Sequence, residues 1–172
     1  GIRLNKKATI SGGGKLTIDA KGIGIGIYLF NTDEEIQTED ISLSVVGGTE
    51  VYAKGLSGIS GYGTQNSLIR TYGAVLSVSN SKVTAEFNNS ISNLTATRKG
   101  GALEYLHALN LDGVKIASPE NVAFDPKKDE NIVSSTNPNS IINKVVIDKI
   151  VVYDLKISGV QINEVNCTDI AG

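Results

Sequence analysis

The stretch Leu43–Ala53, which reads LSVVGGTEVYA, is the best guide to the fold, because two later stretches repeat its pattern. Residues 76–85 read LSVSNSKVTA, and residues 109–118 read LNLDGVKIAS. Each copy has two apolar residues separated by one position, a turn, and a second alternating pair that starts with valine. The first copy carries one extra residue, at its Gly47-Gly48 turn. Such alternation is typical of short β-strands joined by tight turns.

The repeat also has a fixed length. A leucine series and a valine series that ends in a leucine recur every thirty-three positions, and an isoleucine series that ends in an alanine has a step that is one position shorter. A constant period in the range of roughly 20–50 residues indicates stacked units, each of which buries its apolar face against its neighbours. The three series are Leu43, Leu76, Leu109; Val45, Val78, Leu111; and Ile27, Ile59, Ile91, Ala123.

Three strand-containing architectures compete for this pattern. A β-sandwich has no fixed period, and a leucine-rich repeat has a shorter period and a different leucine frame. A parallel β-helix stacks equivalent residues one coil above another, and parallel crossovers are overwhelmingly right-handed. The sequence therefore predicts an all-β, right-handed parallel β-helix of about four irregular coils, with a C-terminal strand segment. The leucine, valine and isoleucine columns should point inward.

The expected organisation has three parts. Residues 1–124 form the coils, residues 125–143 form a polar, proline-containing loop, and residues 144–172 form the strand segment. That segment either caps the last coil, sealed by Val145, Ile147, Leu155 and Ile157, or leads to a further unit. The first residues already look like a repeat, so we expect an uncapped N-terminal end and self-association through its strand edges.

Composition gives no reason to expect nucleic-acid binding, a membrane-spanning helix or an internal disulfide. A net charge of −2 gives no reason to expect nucleic acid as a partner, and no apolar run approaches the roughly 20 residues of a membrane-spanning helix. Cys167 is the single cysteine, so no internal disulfide forms. Nineteen glycines and few aromatic residues fit a chain of many short strands and turns.

Six segments of the chain are similar to a known group of proteins: Gly1–Leu4, Ala8–Ile18, Gly26–Leu29, Gly58–Gly61, Ser90–Leu94 and Tyr153–Ile162. Through these segments the chain resembles a group of secreted proteins of gut bacteria that form right-handed β-helices and mostly have no assigned function. Lys156 stands where that group has an aromatic residue. The resemblance implies a bacterial protein that is secreted or lies at the cell surface, with a connection to carbohydrate.

The sequence offers weak candidates for catalysis. His107 is the single histidine, and the acidic clusters Asp33–Glu35, Glu39-Asp40 and Asp129-Glu130 do not recur at the repeat spacing. Hydrolysis of a glycosidic bond needs two carboxyl groups at a defined separation, and the clusters contain no calcium-loop spacing. We therefore expect no catalytic residue, no metal site and no cofactor. Arg70 and Arg98 stand alone, and Gly12–Lys15 predicts a tight corner, since it lacks the frame of a phosphate-binding loop.

Two tyrosines are the better candidates for ligand binding. Tyr72 and Tyr105 are separated by the same step as the members of the leucine series. Each precedes its leucine by four positions, which places it in the core if the strand is unbroken. If a turn intervenes, the two rings form an exposed aromatic pair of the kind that binds sugars.

The sequence thus predicts a non-enzymatic extracellular or cell-surface module, adhesin-like or glycan-contacting, whose partner is a glycan or a host surface protein. Two alternatives stay open. One is a polysaccharide-degrading lyase or hydrolase, which requires a groove with two close carboxylates or a carboxylate beside a basic residue. The other is a spacer that only extends a binding domain.

Overall fold

A computed structural model describes residues 1–21, 24–29, 41–61, 74–88 and 101–151. These residues form fifteen short strands joined by turns, with no helix among them, so the predicted all-β class is confirmed for this part of the chain. The strands are β1 Ile2–Leu4, β2 Ala8–Ile10, β3 Lys15–Asp19, β4 Ile27–Leu29, β5 Ser42–Val45, β6 Glu50–Gly55, β7 Ile59–Ser60, β8 Val75–Ser79, β9 Lys82–Phe87, β10 Leu103–Glu104, β11 Ala108–Asp112, β12 Val114–Ser118, β13 Val122–Phe124, β14 Ile132–Ser134 and β15 Lys144–Lys149.

The strands belong to four separate sheets. Sheet A has the order β1-β4-β7-β10, sheet B has β11-β8-β5-β2, sheet C has β12-β15-β9-β6-β3, and sheet D pairs β13 with β14. Sheets A and B are parallel throughout. Sheet C is mixed, because β15 pairs antiparallel with both of its neighbours, and sheet D is an antiparallel ribbon.

The leucine series sets the register of sheet B. Leu76 lies between Leu43 and Leu109 on neighbouring parallel strands, and the valine series is paired in the same way two residues further on. Leu43 and Leu76 are fully buried. A one-residue slip would turn the whole apolar set outward, so burial of one face fixes this pairing. The predicted stacking of these two series is confirmed, although Leu109 is only half-buried and Leu111 is 37% exposed on the end strand β11.

The extra residue of the first copy lies where the sequence placed it. Leu43 pairs with Leu76 before the turn, and Val51 pairs with Val83 after it, so the spacing between partners is one residue shorter after the turn. The turn between β5 and β6 absorbs the difference. Its Gly47 and Gly48 have φ of 72° and 75°, a backbone conformation that glycine adopts without steric cost.

The prediction of a single right-handed parallel β-helix is wrong for the described residues, which form separate sheets and not one solenoid. The decisive difference lies in sheet C. The third copy's β12 was expected beside β9, but β15 is inserted between them and runs antiparallel to both. Val145 and Ile147 of β15 are buried there, so a strand from outside the repeats fills this place in the core.

The isoleucine series also breaks after its second member. Ile27 pairs with Ile59 as predicted. On the other side of Ile59, its partner is Leu103 of β10, which lies later in the sequence than the position that the repeat predicts. Ile91, the expected partner, lies outside the described residues. Ile59 and Leu103 are both buried, so the leucine fills the expected place in the core.

Steric crowding explains why the residue before Ile59 is glycine. A Cβ atom at Gly58 would lie 2.6 Å from the backbone nitrogen of Glu86 and 2.7 Å from the carbonyl oxygen of Ala102. Contacts this short do not occur with a real side chain, because they fall well inside van der Waals contact. Glycine at this position therefore lets the end of sheet C approach the start of β7.

The C-terminal part agrees only partly with expectation. Val145 and Ile147, two of the four residues predicted to seal the apolar section, are each 1% exposed, and Leu155 and Ile157 lie outside the described residues. The segment 125–143, predicted as a loop, contains β14, which pairs with β13 across the expected boundary at residue 124. The boundaries themselves, and the division into 1–124, 125–143 and 144–172, stay a prediction.

Candidate functional site

The outward side of sheet C carries a set of polar residues that we call the laddered face. On each strand the inward positions hold small or aliphatic residues, so the alternate positions turn toward solvent. Parallel register then brings the outward residues of successive strands into three straight rows. The face comprises Lys15, Thr17 and Asp19 of β3; Glu50, Tyr52 and Lys54 of β6; Lys82, Thr84 and Glu86 of β9; Lys144, Val146 and Asp148 of β15; and Lys115 of β12.

Charges of opposite sign alternate along the two outer rows. One row runs Lys15, Glu50, Lys82, Asp148 and Lys115, and the other runs Asp19, Lys54, Glu86 and Lys144. Opposite charges on directly paired positions of neighbouring strands attract, whereas like charges there would repel. The rows therefore hold the face in register while leaving its total charge close to zero.

Tyr52 lies at the centre of the middle row, between Thr17 and Thr84. Its hydroxyl donates a hydrogen bond of 3.0 Å to Oε2 of Glu86, which holds the half-buried ring in one orientation. Glu86 also accepts from Nζ of Lys54 at 3.0 Å and from Nζ of Lys144 at 3.3 Å. The central aromatic ring is thus fixed by a carboxylate that has three partners.

The shifted pKa values of this cluster keep Glu86 and Lys54 charged, and Tyr52 neutral, at neutral pH. Partial burial raises the pKa of Glu86, but hydrogen bonds from Lys54, Tyr52 and Lys144 outweigh it, and the net pKa is lowered. The pKa of Tyr52 is raised, first by burial and then by its hydrogen bond to Glu86. The pKa of Lys54 is raised by its bond to Glu86. A general acid at neutral pH needs a carboxyl with a raised pKa, and Glu86 has the opposite shift.

The remaining ion pair of the face, between Lys82 and Asp148, shows pKa shifts in the same directions. Nζ of Lys82 lies 2.6 Å from Oδ2 of Asp148. The bond lowers the pKa of Asp148 and raises the pKa of Lys82. Asp148 and Glu86 are four positions apart along the strand direction, about 13 Å at the usual rise, whereas the carboxyl pair of a glycosidase is roughly 5–9.5 Å apart.

A depression of about 430 Å³ lies beside the Tyr52 ring. With the ring, it is lined by the hydroxyl-bearing Thr17 and Thr84 and by the charged Lys15, Glu50 and Lys82. The depression offers one aromatic surface, two threonine hydroxyls, and both donors and acceptors of hydrogen bonds. This combination can bind a hydroxyl-rich molecule that also has an apolar side, without requiring that the molecule be charged.

The tyrosine pair predicted from the sequence stays a prediction, because only one of its members belongs to the described residues. Tyr72 lies outside them. Tyr105 is half-buried at a bend between β10 and β11, where its φ of 52° interrupts the strand, so the core position expected on an unbroken strand does not apply to it. It lines a second depression, of about 440 Å³, with Lys128, Asp129 and Glu130.

Some of the other candidates predicted from the sequence lie within the described residues, and some lie outside them. His107 is exposed, and its backbone nitrogen donates to the carbonyl of Ala74 at 2.8 Å. Gly12 and Gly13 have positive φ in the turn between β2 and β3, which confirms the predicted tight corner. Within the described residues, no three histidine, cysteine, aspartate or glutamate side chains come together as a metal site. The candidates that lie outside those residues are Asp33–Glu35, Glu39-Asp40, Arg70, Arg98 and Cys167.

Glu104 is a buried acid that the sequence did not reveal. Its carboxylate is fully buried and accepts a hydrogen bond from the equally buried hydroxyl of Ser57, 47 residues earlier. Both side chains are closed off from solvent, so no substrate reaches them. We assign this pair to the packing of sheet A, and no local signal could have found it, because the repeat spacing breaks between Ile59 and Leu103.

Comparisons with known proteins add no constraint on the site. The part of the chain that the structure describes has no helix long and apolar enough to cross a bilayer. The sequence matches no family model and no curated protein, and the structure matches no solved structure.

Proposed function

We propose that the chain is a non-enzymatic binding module that contacts neutral glycans through the laddered face, with the Tyr52 ring as the stacking surface. The observation that carries the proposal is the fixed ring in the middle row, held by Glu86 and flanked by Thr17 and Thr84. A sugar ring has an apolar C–H side, which packs on an aromatic ring, and a rim of hydroxyls. The charged rows supply partners for those hydroxyls on both sides.

The charge balance favours a neutral ligand over an acidic polysaccharide. Five lysines and four carboxylates alternate on the face, and three ion pairs within it have nitrogen–oxygen distances of 3.3 Å or less. A polyanion would have to compete with these carboxylates and would meet almost no net positive field. A neutral glycan needs only hydrogen bonds, and charged groups form the stronger ones.

Carboxylates beside lysines, which the enzyme alternative requires, are present on this face, but the directions of their pKa shifts favour binding without turnover. The carboxylates Glu86 and Asp148 are paired with lysines, and their lowered pKa values suit fixed charges better than proton donors. The rigid, register-locked rows suit a surface that is complete before its ligand arrives. The resemblance to secreted bacterial proteins supports placing this module outside the cell or at its surface.

Binding to an array of neutral and acidic glycans tests the proposal. We expect neutral glycans among the hits. Tyr52→Ala should weaken their binding roughly tenfold or more through loss of the ring, and Tyr52→Phe should keep most of it. Tyr105→Ala is the matched control, because it removes an equally large half-buried ring from the other depression and should leave binding unchanged.

Three outcomes would overturn the proposal. If Tyr105→Ala abolishes binding and Tyr52→Ala does not, the site lies at the second depression. Release of reducing or unsaturated ends from any glycan that binds would identify an enzyme. If folded protein binds no glycan at all, a spacer is the better interpretation.

A further inference from the structure

The strand β3 has one edge that no other described strand covers. It is the last strand of sheet C and pairs only with β6. The carbonyl of Gly14 and the N–H of Ala20 both bond to the β6 side. Because successive residues of a strand direct their backbone groups to opposite sides, the even-numbered positions face β6. The N–H and carbonyl groups of Lys15, Thr17 and Asp19 therefore face outward along the open edge.

The side chains of this strand are self-complementary about Thr17. Reading KLTID in one direction gives a cation, an apolar residue, threonine, an apolar residue and an anion. Reading it in the other direction reverses the charges. A second copy laid antiparallel alongside, with Thr17 opposite Thr17, would place each Lys15 opposite the other copy's Asp19 and each Leu16 opposite Ile18.

We propose that two copies of this chain pair through β3 in this way, around a two-fold axis that passes midway between the two Thr17 residues. Three directly opposite pairs, 15 with 19, 17 with 17 and 19 with 15, would each exchange two backbone hydrogen bonds, because these are the residues with outward groups. Unpaired edge groups of this kind are a template for strand addition, and a two-fold contact closes on itself at two chains.

Other antiparallel registers of the two β3 strands have less favourable charge pairs than the register centred on Thr17. Centring the pair on Lys15 opposes two lysines, and centring it on Asp19 opposes two aspartates. Centring it on residue 18 opposes Lys15 to Lys21, and centring it on residue 16 leaves both charges without an opposite charge. Like charges directly opposite destabilise a pair of strands, so the charge pattern selects the register centred on Thr17.

In the single chain Asp19 already has a partner, Lys21, whose side chain is 83% exposed. An ion pair this exposed contributes little to stability. Asp19 can therefore exchange Lys21 for the other copy's Lys15 at small cost. Since the contact is small, we expect a weak dimer.

The pairing also joins the laddered faces of the two copies into one continuous sheet face. From β6 through β3 to the other copy's β3 and β6 there are three strand spacings, so the two Tyr52 rings would lie about 14 Å apart. Dimerisation does not depend on glycan binding, so it can be tested in the absence of glycan.

Sedimentation equilibrium of the full chain across micromolar to millimolar concentrations tests the proposal. The wild type should show a monomer–dimer equilibrium. Lys15→Glu and Asp19→Lys should each weaken self-association roughly tenfold or more, because each puts two like-charged pairs into the contact. When the two variants are mixed, the introduced glutamate meets the introduced lysine, and the unchanged Asp19 of one chain meets the unchanged Lys15 of the other. A mixed dimer should therefore form at wild-type strength.

Thr17→Pro is a second, independent test. Proline removes the central outward N–H but no bond to β6, and proline is tolerated on an edge strand whose N–H faces solvent. The variant should keep the wild-type circular dichroism and melting temperature and should be monomeric. A wild type that stays monomeric throughout would overturn the proposal. So would a dimer that persists in Thr17→Pro, or two charge variants that remain monomeric when mixed.

Discussion

The hydroxyl of Tyr52 donates a 3.0 Å hydrogen bond to Oε2 of Glu86, which is two residues further along the neighbouring strand than its direct partner Thr84. The bond is diagonal across β6 and β9, and it links the middle row of the laddered face to an outer row. It makes the orientation of the aromatic ring depend on the charge of one carboxylate. Removing that charge should therefore change both the titration of the tyrosine and the stability of the face.

We expect Glu86→Gln to lower the pKa of Tyr52 toward its ordinary value of 10.0. Burial, the larger cause of the raised pKa, remains in the variant. The charged acceptor, which disfavours the phenolate, is lost. Titration of ring-labelled tyrosine by ¹³C NMR measures the change. Asp148→Asn, which lies at the opposite row and is not a partner of Tyr52, should leave the pKa unchanged; an equal fall there would contradict the assignment.

Stability should fall as the solution is acidified below about pH 5. Glu86 and Asp148 have native pKa values below their ordinary 4.5 and 3.8. A carboxyl with a lowered native pKa contributes its stabilisation in full above the unfolded pKa and loses it as pH falls through the folded pKa. Urea unfolding at a series of pH values should show this loss, and Glu86→Gln should make the slope shallower. An unchanged slope in the variant would mean that Glu86 does not contribute.

Leu76→Ala should destabilise the fold by about 3 kcal/mol, because it leaves a cavity in the core. Leu76 is fully buried between Leu43 and Leu109. Leu109→Ala removes the same atoms from the same column, but Leu109 is half-buried on an end strand, so about 1 kcal/mol is expected. Chemical denaturation measures both variants. Equal losses would show that β11 is covered as completely as β8.

Asn131→Ala should cost about 3 kcal/mol, because it leaves buried backbone groups without partners. The fully buried Asn131 side chain accepts from the N–H of Leu106 at 2.7 Å and donates to the carbonyls of Leu106, Asp125 and Lys128 at 3.1, 3.2 and 3.1 Å. The exposed Asn139 provides the control, and Asn139→Ala should change the unfolding free energy by less than about 0.5 kcal/mol. A loss equally small at Asn131 would mean that water replaces the amide.

Part of the candidate site is accessible from the sequence. Aligning the first two copies predicts that Tyr52 lies opposite Thr84, and the structure has this pairing. No tyrosine stands one repeat away from Tyr52, so a search for tyrosines that recur at the repeat spacing passes over it. The lysine and aspartate that complete its surroundings, Lys144 and Asp148, belong to β15, which has no counterpart in the repeats.

Local alternation and a constant spacing were enough to predict the all-β class, the pairing of Leu43, Leu76 and Leu109, and the extra residue at Gly47-Gly48. They suffice because a strand with one buried face accepts a single register. The neighbours of the repeats could be known only from the packed molecule, in which Leu103 lies next to Ile59 and β15 separates β12 from β9. Both pairings join segments that are not related by the repeat, and they depend on which apolar residues fill the space beside the neighbouring strands.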